Sequence, residues 1–198
     1  MRLKISSISL IMLAACGGGE GSGIQVEPLT PIEILRIEAQ RLTDAVDGLS
    51  ATAPSVVPDS GGATYSGIGT FAYLPESSLG DGVGGNMTID VSFADDEVTG
   101  QIVNFYSRDG DAREGLITLS NGQIVRTTDG VAVVADVSGT LEILSDVRDL
   151  NGDLAGAFLG ESGDYVSGLI HTQSSFTLPG DGGVVPMTIN GAFILEQQ

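Results

Sequence analysis

His171 is the only histidine in this 198-residue chain, Cys16 the only cysteine and Lys4 the only lysine. Proton transfer near neutral pH, thiolate attack and Schiff-base formation each draw on one of these side chains, so the nucleophilic repertoire is narrow. His171 stands in the run "GLIHTQ" with no Gly-x-Ser-x-Gly elbow beside it, and reads as an outward-facing strand residue. Asp95 and Asp96 could imitate a pair of catalytic carboxylates, but adjacent residues point apart and nothing near them in sequence would raise one pKa. "DGD" at 109–111 and "DLNGD" at 149–153 offer hard oxygen ligands of the kind calcium takes. Both lack the rest of an EF-hand loop, its distal Glu included, and read as solvated turns. "GDGVGG" at 80–85 has no Lys-Ser/Thr after it and opens no helix, so it reads as a mobile loop and not as a phosphate cradle. No residue is assigned a catalytic or metal-ligating role, no cofactor is expected, and the chain reads as a non-enzyme.

Cys16 has a different use. It follows "MRLKISSISLIMLAA", in which Arg2 and Lys4 precede an apolar stretch from Ile8 to Leu13 and two small residues. That stretch is far short of the roughly 20 apolar residues of a spanning helix, and has the three parts of a secretory signal. With cleavage before Cys16 the segment resembles a bacterial lipoprotein signal, which implies a diacylglycerol on the Cys16 sulfur and acylation of the new amino terminus. Several acyl chains on one residue anchor a protein stably without spanning the bilayer. Gly17 stands where an aspartate would resemble an inner-membrane retention signal, so the expected location is the outer membrane, with exposure at the cell surface in view. "GGGEGSG" then serves as a flexible tether.

The full chain has a formal charge of −18. Without residues 1–15 the 8 basic residues fall to 6, all arginine, against 26 acidic ones, a net of −20. Such a balance repels nucleic acid and anionic surfaces. The 183 residues from Cys16 onward suit one domain with a substantial core.

The elements that must position any site divide into residues 1–15 (signal), 16–29 (lipidated Cys16 and tether), 30–48 (amphipathic helix), 49–62 (linker) and 63–198 (β domain). In "TPIEILRIEAQRLTDAVDG", Thr30 is an N-cap, Pro31 takes the first helical position and Glu33 completes a capping box. Ile32, Leu35, Ala39, Leu42 and Val46 recur at helical spacing, and Gly48 stops the helix. This stripe must bury against the outside or one end of the β domain, or against another copy. From Ala63 the period becomes 2, as in "MTIDVSFA" and "MTINGAFIL". Strands are expected at about 63–75, 86–94, 97–107, 113–120, 130–144, 150–160, 163–173 and 187–196. "ADDE", "RDGD", "SNG", "TDG" and "GESGD" mark the joints. Eight antiparallel strands joined in chain order predict an up-and-down barrel, with an open sandwich as the alternative. Gly67, Gly69, Gly100, Gly156, Gly168 and Gly191 fall inside the strands, where tight curvature would use them.

"GDLAGAFLGESGDYVSGLIHTQ" at 152–173 resembles the penultimate hairpin of the barrel domains in transferrin-binding protein B and related surface lipoproteins, including factor H-binding protein. Gly156, Phe158, Gly160 and Gly168 match its Gly-x-Phe-x-Gly strand and glycine-bearing return, while Gly-Pro and Gly-Gly elements often seen there are absent. "VSFADDEVTGQIVNF" at 91–105 is similar to an earlier hairpin of the same family. The resemblance covers about 63–198 and implies a lipid-anchored barrel that binds a protein or other ligand through its loops. It transfers no binding site, and the second lobe of the transferrin binders has no counterpart.

The expected function is therefore capture of a protein or small-molecule ligand, without catalysis, through loops such as "YLPESSLGDGVGG" at 73–85 and "QSSFTLPGDGGVVP" at 173–186; the ligand-binding residues are unassigned. The alternatives are a structural envelope lipoprotein without a ligand and a lipocalin-like carrier. A filled barrel would favour the loop-binding or structural reading, and an open apolar interior the carrier.

Overall fold

The computed structural model describes residues 27–73, 82–143, 146–177 and 184–198. Helix α1 (Pro31–Val46) precedes β1 (Gly62–Tyr73), β2 (Gly82–Ser92), β3 (Glu97–Ser107), the two-residue β4 (Ala112–Arg113), β5 (Gly115–Thr127), β6 (Gly130–Ile143), β7 (Asp146–Leu159), β8 (Tyr165–Thr177) and β9 (Val184–Gln197). Every pairing is antiparallel; β3 pairs with β5 past β4, and β9 returns to β1. The eight long strands thus close an up-and-down barrel, as the sequence predicts, and no barrel strand is left with an unpaired edge.

Alternation sends one face of each strand inward. Tyr65, Phe71, Phe105, Phe158, Phe193 and Met87 are fully buried in one continuous core. Thr64, Asp90, Thr118, Asp136, Asn151 and Asp153 are exposed on the opposite face. The interior is apolar and the outward face mostly polar, with Leu116, Val134, Val147 and Leu169 as exposed apolar exceptions, whereas a membrane-spanning barrel has a polar interior and a continuous apolar outer band. Side chains occupy the space that a carrier would need for cargo.

The strand glycines have a specific use around Phe193. It stands in register between Gly69 and Gly168, and Gly168 faces Gly156 across the next pair. A Cβ at Gly156 would lie 2.6 Å from the Phe193 ring, so the bare backbone makes room for an inward aromatic. Phe158 fills the space below, 5.7 Å from Tyr65 and 6.4 Å from Phe93 between ring centroids.

Several sequence expectations are corrected. "SNG" at 120–122 is no joint, because β5 continues through it to Thr127. Three steps on β5, Ser120 to Gln123, match two on β6, Asp136 to Val134, which is a bulge with Asn121 at φ 51°. Ile117 and Leu119 are buried before the bulge and Ile124 after it, so the extra residue resets the inward phase. Asn104, at φ 56°, plays the same part in β3. "DLNGD" at 149–153 lies inside β7, where Leu150 points into the core and Asp149, Asn151 and Asp153 outward. Residues 82–85 belong to β2, with Val83 buried, so the predicted loop 73–85 is shorter than its glycines suggest. Likewise 173–177 and 184–186 are strand. Residues 1–26, 74–81, 144–145 and 178–183, with Cys16 and the middle of both predicted loops, lie outside the described residues.

Thr30 and Glu33 form the capping box: the Thr30 backbone N–H donates to the Glu33 carboxylate at 2.7 Å, and the Glu33 N–H donates to the Thr30 hydroxyl at 3.4 Å. The Thr30 N–H, and the Thr30 hydroxyl donating to the same carboxylate at 2.7 Å, hold the Glu33 carboxyl below the usual carboxylate range. Leu35 and Leu42 are buried against Ile68 on β1, with Ala39, Tyr106, Tyr165 and Ile194 around them, so α1 lies on the outer wall of the barrel. Arg41, paired with Glu38 within the helix, clamps it to the wall by an ion pair of 2.7 Å to Glu196 of β9. Past Gly48, residues 49–61 are fixed to the far end of the barrel. The Thr52 N–H donates to the Phe158 carbonyl at 2.8 Å, its hydroxyl to the Gly160 carbonyl at 2.8 Å, and Val57 enters the core.

Candidate functional site

The helix does not touch the wall along its whole length. At the level of Ile68 and Ile194 the wall carries large side chains that meet Leu35 and Leu42. One level further toward the helix N-terminus the outward row is Ala192, Thr70 and Gly84, ending at Tyr106; the next is Asn190, Ala72 and Gly82. Tyr106 packs against the helix cluster, but the small groups between it and Asn190 leave space beneath α1. A groove of about 470 Å³ remains, with Ile32, Leu35 and Ala39 on the helix side and Ile68, Ala72 and Ala192 on the wall. That volume lies within the roughly 300–1,000 Å³ of ordinary ligand clefts.

The groove opens at the barrel end that carries the β3–β4 turn. Gly110, at φ 97°, brings this turn under the helix: a Cβ there would lie 3.0 Å from Ile32 Cγ2. Arg36 and Arg108 line the mouth, and the Arg36 guanidinium donates to the Arg108 carbonyl. Both arginines are exposed. Among the described residues neither has a carboxylate ion-pair partner, whereas Arg41, Arg113, Arg126 and Arg148 each do.

The residues weighed for chemistry are scattered. His171 is exposed on β8, with Nδ1 2.9 Å from the Asn190 side-chain oxygen at the groove's edge. Asp95 accepts from the Ser92 hydroxyl at 2.8 Å, while Asp96 pairs with Arg126, so the adjacent carboxylates serve different partners. Asp111 lies 3.8 Å from Arg113. Among the described residues no group of three or more His, Cys, Asp or Glu side chains could hold a metal ion, and no helix is long and apolar enough to cross a membrane.

No protein-family model matches the chain, and none of the curated proteins matches it. Among solved structures it is similar to the vaccine antigen transferrin-binding protein B of Haemophilus parasuis Hp5, in a Trp-to-Ala mutant form. The TM-score is 0.36 and the identity 15%, over 75% of this chain and 29% of that one. The chain therefore spans less than a third of that protein's length.

Sequence reasoning missed the groove, because its walls are assembled by register. Gly82 and Gly84 read in sequence only as part of a loop, and pairing with Ala72 and Thr70 is what makes them one bare patch of wall. The available signal was a helix with arginine at position 36 beside its apolar stripe, in a chain where cations are scarce.

Proposed function

We propose that this chain is a non-catalytic binding module, tethered to the outer membrane or displayed at the cell surface by lipid on Cys16. Its ligand docks at the barrel end where the groove between α1 and the wall opens. The observation that carries this reading is the groove: an apolar concavity on the outside of a barrel whose inside is filled. A filled, closed barrel is a rigid support, and a concave apolar surface with a few polar groups at its edge is the usual form of a small-molecule site. Residues 82–84 belong to the region 73–85 that the sequence marks for ligand contact, and they line this groove. The helix N-terminus lies at the same end, so a tether through residues 16–29 would leave the protein beside the groove's mouth. The exposed, strand-borne His171, paired with an amide, supports binding over catalysis.

Two measurements test the reading. Cys16→Ala should move the protein from the membrane fraction to the soluble fraction; retention in the membrane would end the anchor assignment. Native mass spectrometry of the protein purified from its own envelope should show a bound species that Gly84→Leu loses. A Cβ at Gly84 meets nothing nearer than Thr70 Cγ2 at 3.8 Å, so the added side chain enters the groove without disturbing the strand. An empty groove in the unaltered protein would favour a structural lipoprotein without a ligand.

A further inference from the structure

We infer that the groove takes a medium-chain anionic amphiphile, a fatty acid whose carboxylate is held by Arg36 and Arg108 while its alkyl chain lies between α1 and the barrel wall. This rests on the binding reading above and adds the chemistry of the ligand.

The charge pattern points to the head group. Beyond residue 15 the chain has 6 arginines among 26 acidic residues, so a guanidinium finds a carboxylate easily. Four of the six do so: Arg41 with Glu38 and Glu196, Arg113 with Glu142, Arg126 with Asp96, and Arg148 with Asp146. Arg36 and Arg108 are the two without such a partner among the described residues, and they meet at the mouth of the apolar groove. Glu33, three residues before Arg36 on the helix, feels its charge but accepts its hydrogen bonds from Thr30 and forms no ion pair with Arg36. Arg36 uses one donor on the Arg108 carbonyl, which leaves the rest of a five-donor fork for an anion. Guanidinium and carboxylate match as bidentate partners, and their hydrogen bonds are charge-assisted. The overall negative charge does not prevent this. At physiological ionic strength the Debye length is about 8 Å, so distant carboxylates are screened while a guanidinium in contact is not.

The rest of the groove points to the tail. Beyond the two arginines its lining is mainly apolar, with Ile32, Leu35 and Ala39 facing Ile68, Ala72 and Ala192, and Thr70, Tyr106 and Asn190 are its polar exceptions. From Ile32 to Ala39 the helix advances about 10 Å at 1.5 Å per residue, and the volume sits low in the range of ligand clefts. Both fit one medium alkyl chain better than the two chains of a diacyl lipid.

The test uses the full chain carrying Cys16→Ser, which cannot be acylated, in detergent-free buffer. Decanoate and its uncharged counterpart decanol are titrated calorimetrically. One decanoate should bind per chain, at least about tenfold more tightly than decanol, the factor expected of one charge-assisted contact. The double variant Arg36→Gln, Arg108→Gln should bring decanoate down to the decanol level and leave decanol unchanged, while Gly84→Leu should abolish both. On the unaltered arginines, raising salt from 20 to 500 mM should weaken decanoate and spare decanol, which keeps the test decisive if the double variant folds poorly. Equal affinities for the two probes, both lost in Gly84→Leu, would overturn the head-group assignment while the binding reading stands. Decanoate binding that survives Gly84→Leu would place the fatty acid elsewhere and overturn the inference, as would no binding of either probe. In that last case a species lost from the groove in native mass spectrometry would still uphold the broader reading.

Discussion

Tyr65 couples the interior of the barrel to the loop between β7 and β8. Its ring packs edge-on to Phe158, and its hydroxyl donates to the Gly163 carbonyl at 2.9 Å from a side chain that is 2% exposed. Burial, aided by the negative charge of Asp164, pushes its pKa up to about 12. A phenol that ionises near 10 in the unfolded chain and near 12 in the folded one binds its proton more tightly when folded. The stability this represents is complete below pH 10 and is lost as pH rises toward 12. Two pKa units correspond to a loss on the order of 2–3 kcal/mol. Tyr65→Phe should be less stable at neutral pH by about 1 kcal/mol, the worth of an ordinary hydrogen bond. It should also decline less steeply than the unaltered protein in urea unfolding between pH 9 and 11.5. Parallel declines would mean that Tyr65 does not ionise on unfolding in this range.

At the scale of elements, α1 and the barrel interior are two separate apolar clusters, and this division predicts how the molecule opens. Leu35, Leu42 and Ile68 form one cluster on the outer wall, and the inward side chains form the other. Leu42 is wholly buried, and its Cδ1 lies 3.0 Å from the point where a Cβ on Gly67 would stand. The wall is bare where Leu42 meets it. Leu42→Ala should weaken helix docking by about 2–5 kcal/mol, the usual cost of emptying a buried leucine site. Hydrogen exchange should show faster opening of α1 with little change in β6 and β7; an equal effect on both would make the helix part of the cooperative core. The helix was legible in sequence because cap, proline, stripe and stop are all local, encoded within 30–48. The strands were legible from their period wherever it ran unbroken. The reading failed at Asn121, where an asparagine-glycine pair carries turn chemistry but sits in a bulge, and only the neighbouring strands on both sides decide between the two. It failed again at Gly82–Gly85, because glycine suppresses the alternation that announces a strand. The groove depends on both registers at once, and no local window contains it.

The whole molecule carries far more negative charge than its ion pairs absorb. Six arginines stand against 26 acidic residues beyond the signal segment, and two of the six have no carboxylate partner among the described residues. Most carboxylates therefore repel one another across the barrel surface; Asp136 and Asp153, for example, are exposed and directly opposed on β6 and β7. Like charges in that position are destabilising, and a large net charge works against the compact state. Added salt has two opposed effects. It weakens pairs such as Arg41 with Glu196, but exposed pairs contribute only about 0–1 kcal/mol each. It also shortens the reach of every repulsion, from roughly 30 Å at 0.01 M to roughly 10 Å at 0.1 M, the difference between a field that crosses the molecule and one that is confined to neighbours. With so few pairs to weaken and so many repulsions to screen, the second effect should win. Thermal unfolding followed by circular dichroism should give a Tm that rises as sodium chloride increases from 10 to 300 mM at pH 7.5. The steepest rise should come below 100 mM, where the Debye length changes most. A Tm that falls over that interval would show that the four paired arginines contribute more to the fold than the surplus carboxylates take away.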